Sequence, residues 1–222
     1  MIIRDLALNR FLETFQVKIE PVDELFSYYR CALMEVETKF KVLNEQFALL
    51  YDGNPIESIK TRIKSYDSIL RKLKNKGFPL TLKSMEENVF DVAGVRVICS
   101  FEKDIYVLES YFLSQDDVVL VERKDYIKNP KKSGYRSLHL LIEIPIFLST
   151  GKKMMKVEVQ LRTIAMDFWA SLEHKLRYHK DLTDEQLILL KDEMKTCATM
   201  CKELDQRMQY AKDEILGKED NT

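Results

Sequence analysis

Along Met154 to Arg162, Glu158, Gln160 and Arg162 alternate with Val157, Val159 and Leu161. A period of two puts a carboxylate, an amide and a guanidinium on one face of a strand and apolar side chains on the other. That polar face is the first candidate for chemistry, although the same pattern also describes an antiparallel strand with one wet side. Upstream, Lys131-Lys132-Ser133-Gly134-Tyr135-Arg136-Ser137-Leu138-His139 gathers basic side chains, a flexible glycine, an aromatic ring and a histidine. Such a set suits an anionic ligand with a flat ring, a nucleotide. Lys64, Ser68 and Lys72 stand at i, i+4 and i+8, so on a helix two ammoniums with a hydroxyl between them form a phosphate ladder or simply a solvated face. Asp91 precedes the apolar run Val95 to Phe101. A carboxylate there can hold Mg²⁺ among nucleotide oxygens, or it can be an ordinary turn aspartate.

These residues need elements to position them. Ser137 to Leu148 and Met154 to Arg162 flank Ser149-Thr150-Gly151-Lys152, which predicts a hairpin. Val95 to Phe101 has the β-branched character of a central strand, and Val118 to Val121 reads as another, leading into Glu122-Arg123-Lys124-Asp125. Leu25, Tyr29, Ala32, Val36, Phe40, Leu43, Phe47 and Leu50 mark a long amphipathic helix that starts at Asp23 and stops before Asp52-Gly53-Asn54-Pro55. Residues 1 to 20, with weak periodicity, read as a loosely docked arm ahead of Pro21. Ser58 to Lys76 reads as a second, strongly basic helix stopped by Gly77, with Ile59, Ile63, Tyr66, Leu70 and Leu73 buried. Leu82 to Asn88 and Asp104 to Leu113 read as further helices, and Thr163 can cap one in which Trp169 is a core anchor. Thr183-Asp184-Glu185-Gln186 is a capping box. It opens a heptad seam of Leu187, Leu190, Met194, Cys197, Cys201, Leu204, Met208, Ala211 and Ile215, whose partner is the long helix from 23 or another subunit.

Lys plus Arg (35) nearly cancel Asp plus Glu (36), so any basic patch is local and a general nucleic-acid coater is excluded. Cys31, Cys99, Cys197 and Cys201 lack CxxC spacing, which favours neither a disulfide framework nor zinc, and makes the cytoplasm the expected compartment. No leader pattern opens the chain, and no apolar run approaches the roughly 18 to 20 residues that span a bilayer.

Taken together, Arg62-x-Lys64-x3-Ser68-x3-Lys72, Asp91-x2-Gly94-x-Arg96, Lys131-x2-Gly134-Tyr135-Arg136-Ser137-x-His139 and Glu158-x-Gln160-x-Arg162-Thr163 resemble the synthetase domain of the RelA/SpoT homologues, over residues 55 to 180. The chain is similar to their small stand-alone alarmone synthetases. The resemblance implies an α+β, nucleotidyltransferase-like fold: a mixed β-sheet flanked by helices, in a single synthetase domain. Residues 1 to 54 would be arm and helix, 55 to 180 the catalytic core and 181 to 222 the C-terminal heptad helix. It implies transfer of pyrophosphate from ATP to the 3′-hydroxyl of GDP or GTP with release of AMP, in the stringent response.

By the same resemblance Asp91 and Glu158 would hold Mg²⁺, Glu158 also taking the proton of the attacking hydroxyl. Lys64, Ser68 and Lys72 would grip the ATP phosphates, and Arg62 and Arg96 would sandwich adenine. Tyr135 would stack on guanine, Lys124, Lys131 and His139 would face the acceptor's phosphates and ribose, and Gln160 and Asp167 would lie near the guanine side. Small members form homotetramers through their terminal helices. The long enzymes' Arg-x-Lys-Asp loop reads Glu122-Arg123-Lys124-Asp125 here, and none of the three histidines (His139, His174, His179) stands in a His-Asp pair, so neither a hydrolase nor a regulatory domain is expected. Ser58 and Lys60 replace an aromatic and a threonine of the RelQ-like branch, which points to the RelP-like branch without product activation. A second reading keeps the pocket without turnover, as a nucleotide- or RNA-binding module. Against it stand both carboxylates, which repel phosphate unless a metal is present. RNA as a regulator finds no support in the net charge.

Overall fold

The computed structural model describes residues 2–50, 53–177 and 183–216. Asp52 and His179, and the side chains of Leu50 and Ile215, lie outside the described residues. Among the described residues, five strands form one sheet in the order β1-β2-β5-β4-β3. They are β1 (Ile56–Ile63), β2 (Ala93–Cys99), β3 (Val119–Asp125), β4 (Leu138–Leu148) and β5 (Gly151–Thr163). β2 and β5 run parallel, and every other neighbouring pair is antiparallel. The helices are α1 (Ile2–Phe15), α2 (Ile19–Leu50), α3 (Tyr66–Asn75), α4 (Leu82–Asn88), α5 (Glu102–Leu113), α6 (Ile164–Arg177) and α7 (Asp184–Leu216).

Val95, Val97, Leu140, Ile142, Val157, Val159 and Leu161 are buried on one face of the sheet. α2 lies across β1, β2, β4 and β5 and packs beside α5, closing that face. Val22, Leu25, Phe26, Tyr29, Ala32, Val36, Phe40, Leu43 and Phe47 supply the apolar stripe of α2. The helix begins at Ile19, ahead of the predicted Asp23. Pro21 sits in its first turn, where a missing N–H leaves no intrahelical bond unmade.

The basic helix predicted over Ser58 to Lys76 is instead a strand followed by a helix. Ile56, Ile59, Thr61 and Ile63 are β-branched, which favours extended backbone, and β2 supplies a ladder from Ile56↔Cys99 to Ile63↔Ala93. The apolar spacing from Ile59 to Leu73 matches a helical period across a boundary at Ser65, the extended N-cap of α3. Residues 1 to 20 also depart from expectation. Phe11 and Phe15 are buried, and the Phe11 ring lies 4.9 Å from that of Tyr66, so α1 docks on α3. Among the described side chains its buried anchors, Phe11 and Phe15, lie in the last turns.

The β4–β5 hairpin is shorter in its loop than predicted: Leu148 pairs with Gly151, so only Ser149 and Thr150 connect the strands. Gly151 has φ of 122°, a conformation that side chains rarely tolerate. β3 extends through Lys124 to Asp125, beyond the predicted Val121. Thr163 caps α6, its hydroxyl accepting from the Met166 amide at 3.1 Å. The capping box at α7 forms in both directions, Thr183 N to Gln186 Oε1 at 3.0 Å and Gln186 N to Thr183 Oγ1 at 3.3 Å.

The seam on α7 faces α6 and α5 rather than α2. Cys201 and Ala198 are buried, Leu187, Leu190, Met194 and Cys197 half-buried. Farther along, the inward positions become polar: Asp205 meets Arg136, Gln209 Oε1 accepts from the Lys103 amide, and Lys212 pairs with Asp104. Leu204 and Met208 are left 55% and 57% exposed.

α6 is pinned to the sheet by Asp167. Lys60 of β1 donates to its Oδ2 at 3.1 Å, and Arg96 of β2 and Arg162 of β5 donate to Oδ1 at 3.0 and 3.2 Å. Burial raises the Asp167 carboxyl, but the Lys60 hydrogen bond and the charges of Arg96, Lys60 and Arg162 outweigh it and hold the group below the usual aspartate value. A lowered folded value means that this stabilisation is fully present above the unfolded value, about pH 4, and is lost as pH falls through the folded one. Asp167→Asn is therefore expected to lower the urea midpoint at neutral pH, with the difference from wild type shrinking as pH falls below about 4 and through the lowered folded value. Phe11→Ala is expected to cost about 3 to 5 kcal/mol in the same measurement; a loosely docked arm would make that loss negligible.

Candidate active site

Strand register, acting across the sheet, assembles the polar face. One row runs Lys60, Arg96, Gln160, His139, Lys124, each Cα-paired with the next. The adjacent row runs Arg62, Gly94, Glu158, Leu141, Glu122. Alternation keeps both rows on the face opposite the valine core. A Cβ at Gly94 would meet the Arg62 side chain in ordinary van der Waals contact, 3.5 Å from its Nε.

Beside these rows opens a cavity of about 240 Å³ lined by Asp91, Glu158, His139, Lys124, Lys72 and Glu122, with Lys76, Asn88, Phe90 and Leu141 completing the wall. Asp91, in the turn before β2, receives Lys64 Nζ on Oδ2 and Lys72 Nζ on Oδ1, both at 2.8 Å. Burial pushes its carboxyl up, and the two ammoniums outweigh that and bring it below the usual aspartate value. Glu158 is treated similarly: burial raises it, and hydrogen bonding to His139 and Gln160 more than reverses the effect, while the Asp91 charge opposes them. Both carboxylates are thus ionised at neutral pH in one cavity that Lys72, Lys76 and Lys124 also line. Such a pair, open to phosphate oxygens, fits a hard divalent cation.

Around Glu158 four hydrogen bonds and one longer contact close into a ring. Gln160 Nε2 donates to Glu158 Oε2 at 2.7 Å, Arg162 Nη2 donates to Gln160 Oε1 at 2.9 Å and to the Tyr135 hydroxyl at 2.6 Å. The Tyr135 hydroxyl lies 2.8 Å from His139 Nε2, and His139 Nδ1 lies 3.4 Å from Glu158 Oε1.

A narrower groove of about 90 Å³ is lined by Lys60, Thr61, Arg62, Gly94, Val95, Arg96 and Gln160. Arg62 and Arg96 therefore share one groove, and Gln160 lines it with them. Asp167, bound to Arg96, lies on this side of the sheet rather than beside Lys124 and His139. Lys131 Nζ stands 4.5 Å from the Tyr126 ring centre and 5.0 Å from that of Tyr135, whose other neighbours are Arg162 and Trp169. Ser68 is not brought to this cluster: Ser65 donates to its hydroxyl at 2.8 Å, and Arg71 reaches it at 3.4 Å. The expected ladder fails because Lys64 precedes α3 and only Ser68 and Lys72 are helical.

The loop that carries Tyr135 is seated on α7. Gly134 has φ of 90°, and a Cβ there would lie 2.4 Å from that of Ala198, so only glycine lets the loop lie flush. Arg136 donates to Asp205 at 2.9 Å and also binds Glu102. Trp169 Nε1 donates to the Met194 carbonyl at 2.8 Å, tying α6 to α7 beneath the same loop.

Lys60 and Arg162 join the site, although the sequence reading assigned neither a role in it. Arg162 shares parity with Glu158 and Gln160 and was visible as the third polar side chain on that face. Lys60 shares parity with Arg62, a signal hidden by reading β1 as helix. Arg123 is drawn away instead, clasped by Glu109 at 2.5 and 2.9 Å.

Comparison with known proteins agrees with this geometry. The family described as "Region found in RelA / SpoT proteins" matches residues 61–183. The GTP pyrophosphokinase YwaC of Bacillus subtilis is 46% identical over 187 residues, spanning 84% of this chain and 88% of the relative. The crystal structure of small alarmone synthetase 1 from Bacillus subtilis bound to its product pppGpp superposes with a TM-score of 0.80 at 32% identity, covering 89% of this chain and 99% of that one. For small alarmone synthetase 2 from the same organism the TM-score is 0.77 at 42% identity, over 88% and 100%. By sequence, by fold and by the span of the match, the chain belongs to the RelA/SpoT family.

Proposed function

We propose that the chain is a (p)ppGpp synthetase, a GTP pyrophosphokinase that moves pyrophosphate from ATP to the 3′-hydroxyl of GDP or GTP. The observation that carries this reading is the cavity in which Asp91 and Glu158 face Lys72, Lys124 and His139. Two carboxylates alone would repel nucleotide phosphates; ringed by ammoniums, they can share a site with them. The names of the relatives support the same activity.

Asp91 and Glu158 would hold Mg²⁺, which draws charge from the ATP phosphates when bound. Lys64 and Lys72 neutralise the phosphate chain from the other side. Arg62 and Arg96 offer guanidinium planes to adenine in their shared groove. Tyr135 stacks on guanine, while Lys124, Lys131 and His139 serve the acceptor's phosphates and ribose, with Gln160 and Asp167 fixing Arg162 and Arg96 between the two sides. In the reaction the 3′-oxygen forms a bond to the β-phosphorus as the bond from that phosphorus to the oxygen bridging the α-phosphate breaks. The proton of the hydroxyl passes to Glu158, and the electron pair of the broken bond leaves with AMP. A cytoplasmic homotetramer of the RelP-like branch belongs to the same proposal, and the exposed Leu204 and Met208 on α7 support assembly through that helix.

Incubation of the purified protein with ATP, Mg²⁺ and either GDP or GTP, followed by anion exchange, is expected to yield AMP and a guanine nucleotide two phosphates heavier. Chelation of the metal should abolish both products. Glu158→Gln should lower turnover roughly 10² to 10⁴-fold in a folded protein. Intact ATP in the presence of both substrates would contradict the assignment, and a folded Glu158→Gln with near-normal turnover would remove the base.

A further inference from the structure

The ring around Glu158 has a direction. Arg162 has only N–H groups to offer, so its bond to Tyr135 uses an oxygen lone pair and leaves the phenolic proton to go elsewhere. The available acceptor is His139 Nε2, 2.8 Å away. With Nε2 accepting, the neutral imidazole carries its proton on Nδ1, which faces Glu158 Oε1 at 3.4 Å. The other oxygen of Glu158 is already held by Gln160 at 2.7 Å. Oε2 thus has a fixed hydrogen-bond donor, Oε1 has the imidazole Nδ1 in longer contact, and the orientation of that imidazole is set by a tyrosine hydroxyl.

We infer that the Tyr135 hydroxyl and His139 form one positioning unit for Glu158, the hydroxyl fixing the imidazole tautomer and the imidazole fixing the carboxylate. This rests on the reading of Glu158 as the base in pyrophosphate transfer. It separates two properties of Tyr135: the ring, offered to guanine, and the hydroxyl, which acts through Glu158 on the acceptor's 3′-hydroxyl. It also gives His139, on the acceptor side of the cavity, a task that works through Glu158. The half-buried seat of the unit, with Tyr126 and Trp169 rings against Tyr135 at 6.1 and 6.4 Å and Tyr126 edge-on to His139 at 5.3 Å, limits the ways in which either side chain can turn.

Tyr135→Phe, His139→Ala, His139→Asn and the Tyr135→Phe/His139→Ala double variant decide the matter, with folding checked by thermal melts. Tyr135→Phe keeps the ring for stacking, and is expected to lower kcat about 10-fold while the acceptor KM stays within about 2-fold. His139→Ala should lose at least as much kcat, and the double variant no more than His139→Ala, because both break the same chain. His139→Asn places an amide N–H where Nδ1–H stands, and should recover most of the kcat lost in His139→Ala. Wild-type kcat in Tyr135→Phe, an increase confined to acceptor KM, or losses that multiply in the double variant would overturn the inference. A ¹⁵N NMR measurement of the His139 ring tests it without turnover: the neutral form should be the Nδ1–H tautomer and should shift towards Nε2–H in Tyr135→Phe. An Nε2–H tautomer in the wild type would refute the unit. Absence of AMP formation by the wild type bears instead on the proposed reaction.

Discussion

The parallel pairing of β2 with β5 is the constraint on which the site depends. It sets Gly94 level with Glu158 and Arg96 level with Gln160, and the antiparallel neighbours then add Arg62, Lys60, His139 and Lys124 to the same rows. A slip of one residue would send Glu158 and Gln160 into the valine core and bring Val157 and Val159 to the ligand face. The apolar side therefore protects the register of the polar side. Val95, Val97, Val157, Val159 and Leu161 are buried beneath α2 and α5, so a misregistered strand would have to bury charge without partners.

Electrostatics then follow from placement. The chain as a whole is nearly neutral, with 35 basic against 36 acidic residues, yet around Asp91 and Asp167 cations outnumber the acid they surround. Asp91 answers to Lys64 and Lys72, and Asp167 to Lys60, Arg96 and Arg162. These local excesses are matched where acids outnumber the base, as Glu109 and Asp125 do on Arg123 and Glu102 and Asp205 on Arg136. A nucleotide meets a basic surface although the protein carries almost no net charge.

Legibility in the sequence tracked how local the determining contacts are. β5 was readable because its alternation is strict and one face is wholly apolar; α6 and the start of α7 were readable because Thr163 and the Thr183–Gln186 box satisfy the amides a few residues away. β1 was misread because Ile59, Ile63, Tyr66, Leu70 and Leu73 mimic a helical stripe, and only pairing with β2, some thirty residues downstream, decides otherwise. That one error also misplaced Ser68, which the true helix turns towards Ser65 and Arg71, and hid Lys60. α1 went unseen for a similar reason: its buried anchors, Phe11 and Phe15, gain their partners from α2 and α3. For α7 the seam was legible but its partner was not, since the packing of α6 and α5 on it is a property of the assembled sheet. Individual site residues came from the sequence through their types and grouping, whereas the ring joining Glu158 to Tyr135 through His139 needed two paired strands and a loop to be in place.

The most direct test of the account follows the atoms of ATP. Reaction with Mg²⁺ and GDP should be run in parallel with ATP labelled at the α- or the β-phosphorus, and the products separated. Attack at the β-phosphorus predicts that β-label enters the guanine nucleotide and α-label stays in AMP. Appearance of α-label in the guanine nucleotide, or of β-label only in free phosphate or pyrophosphate, would contradict pyrophosphate transfer on this face of the sheet.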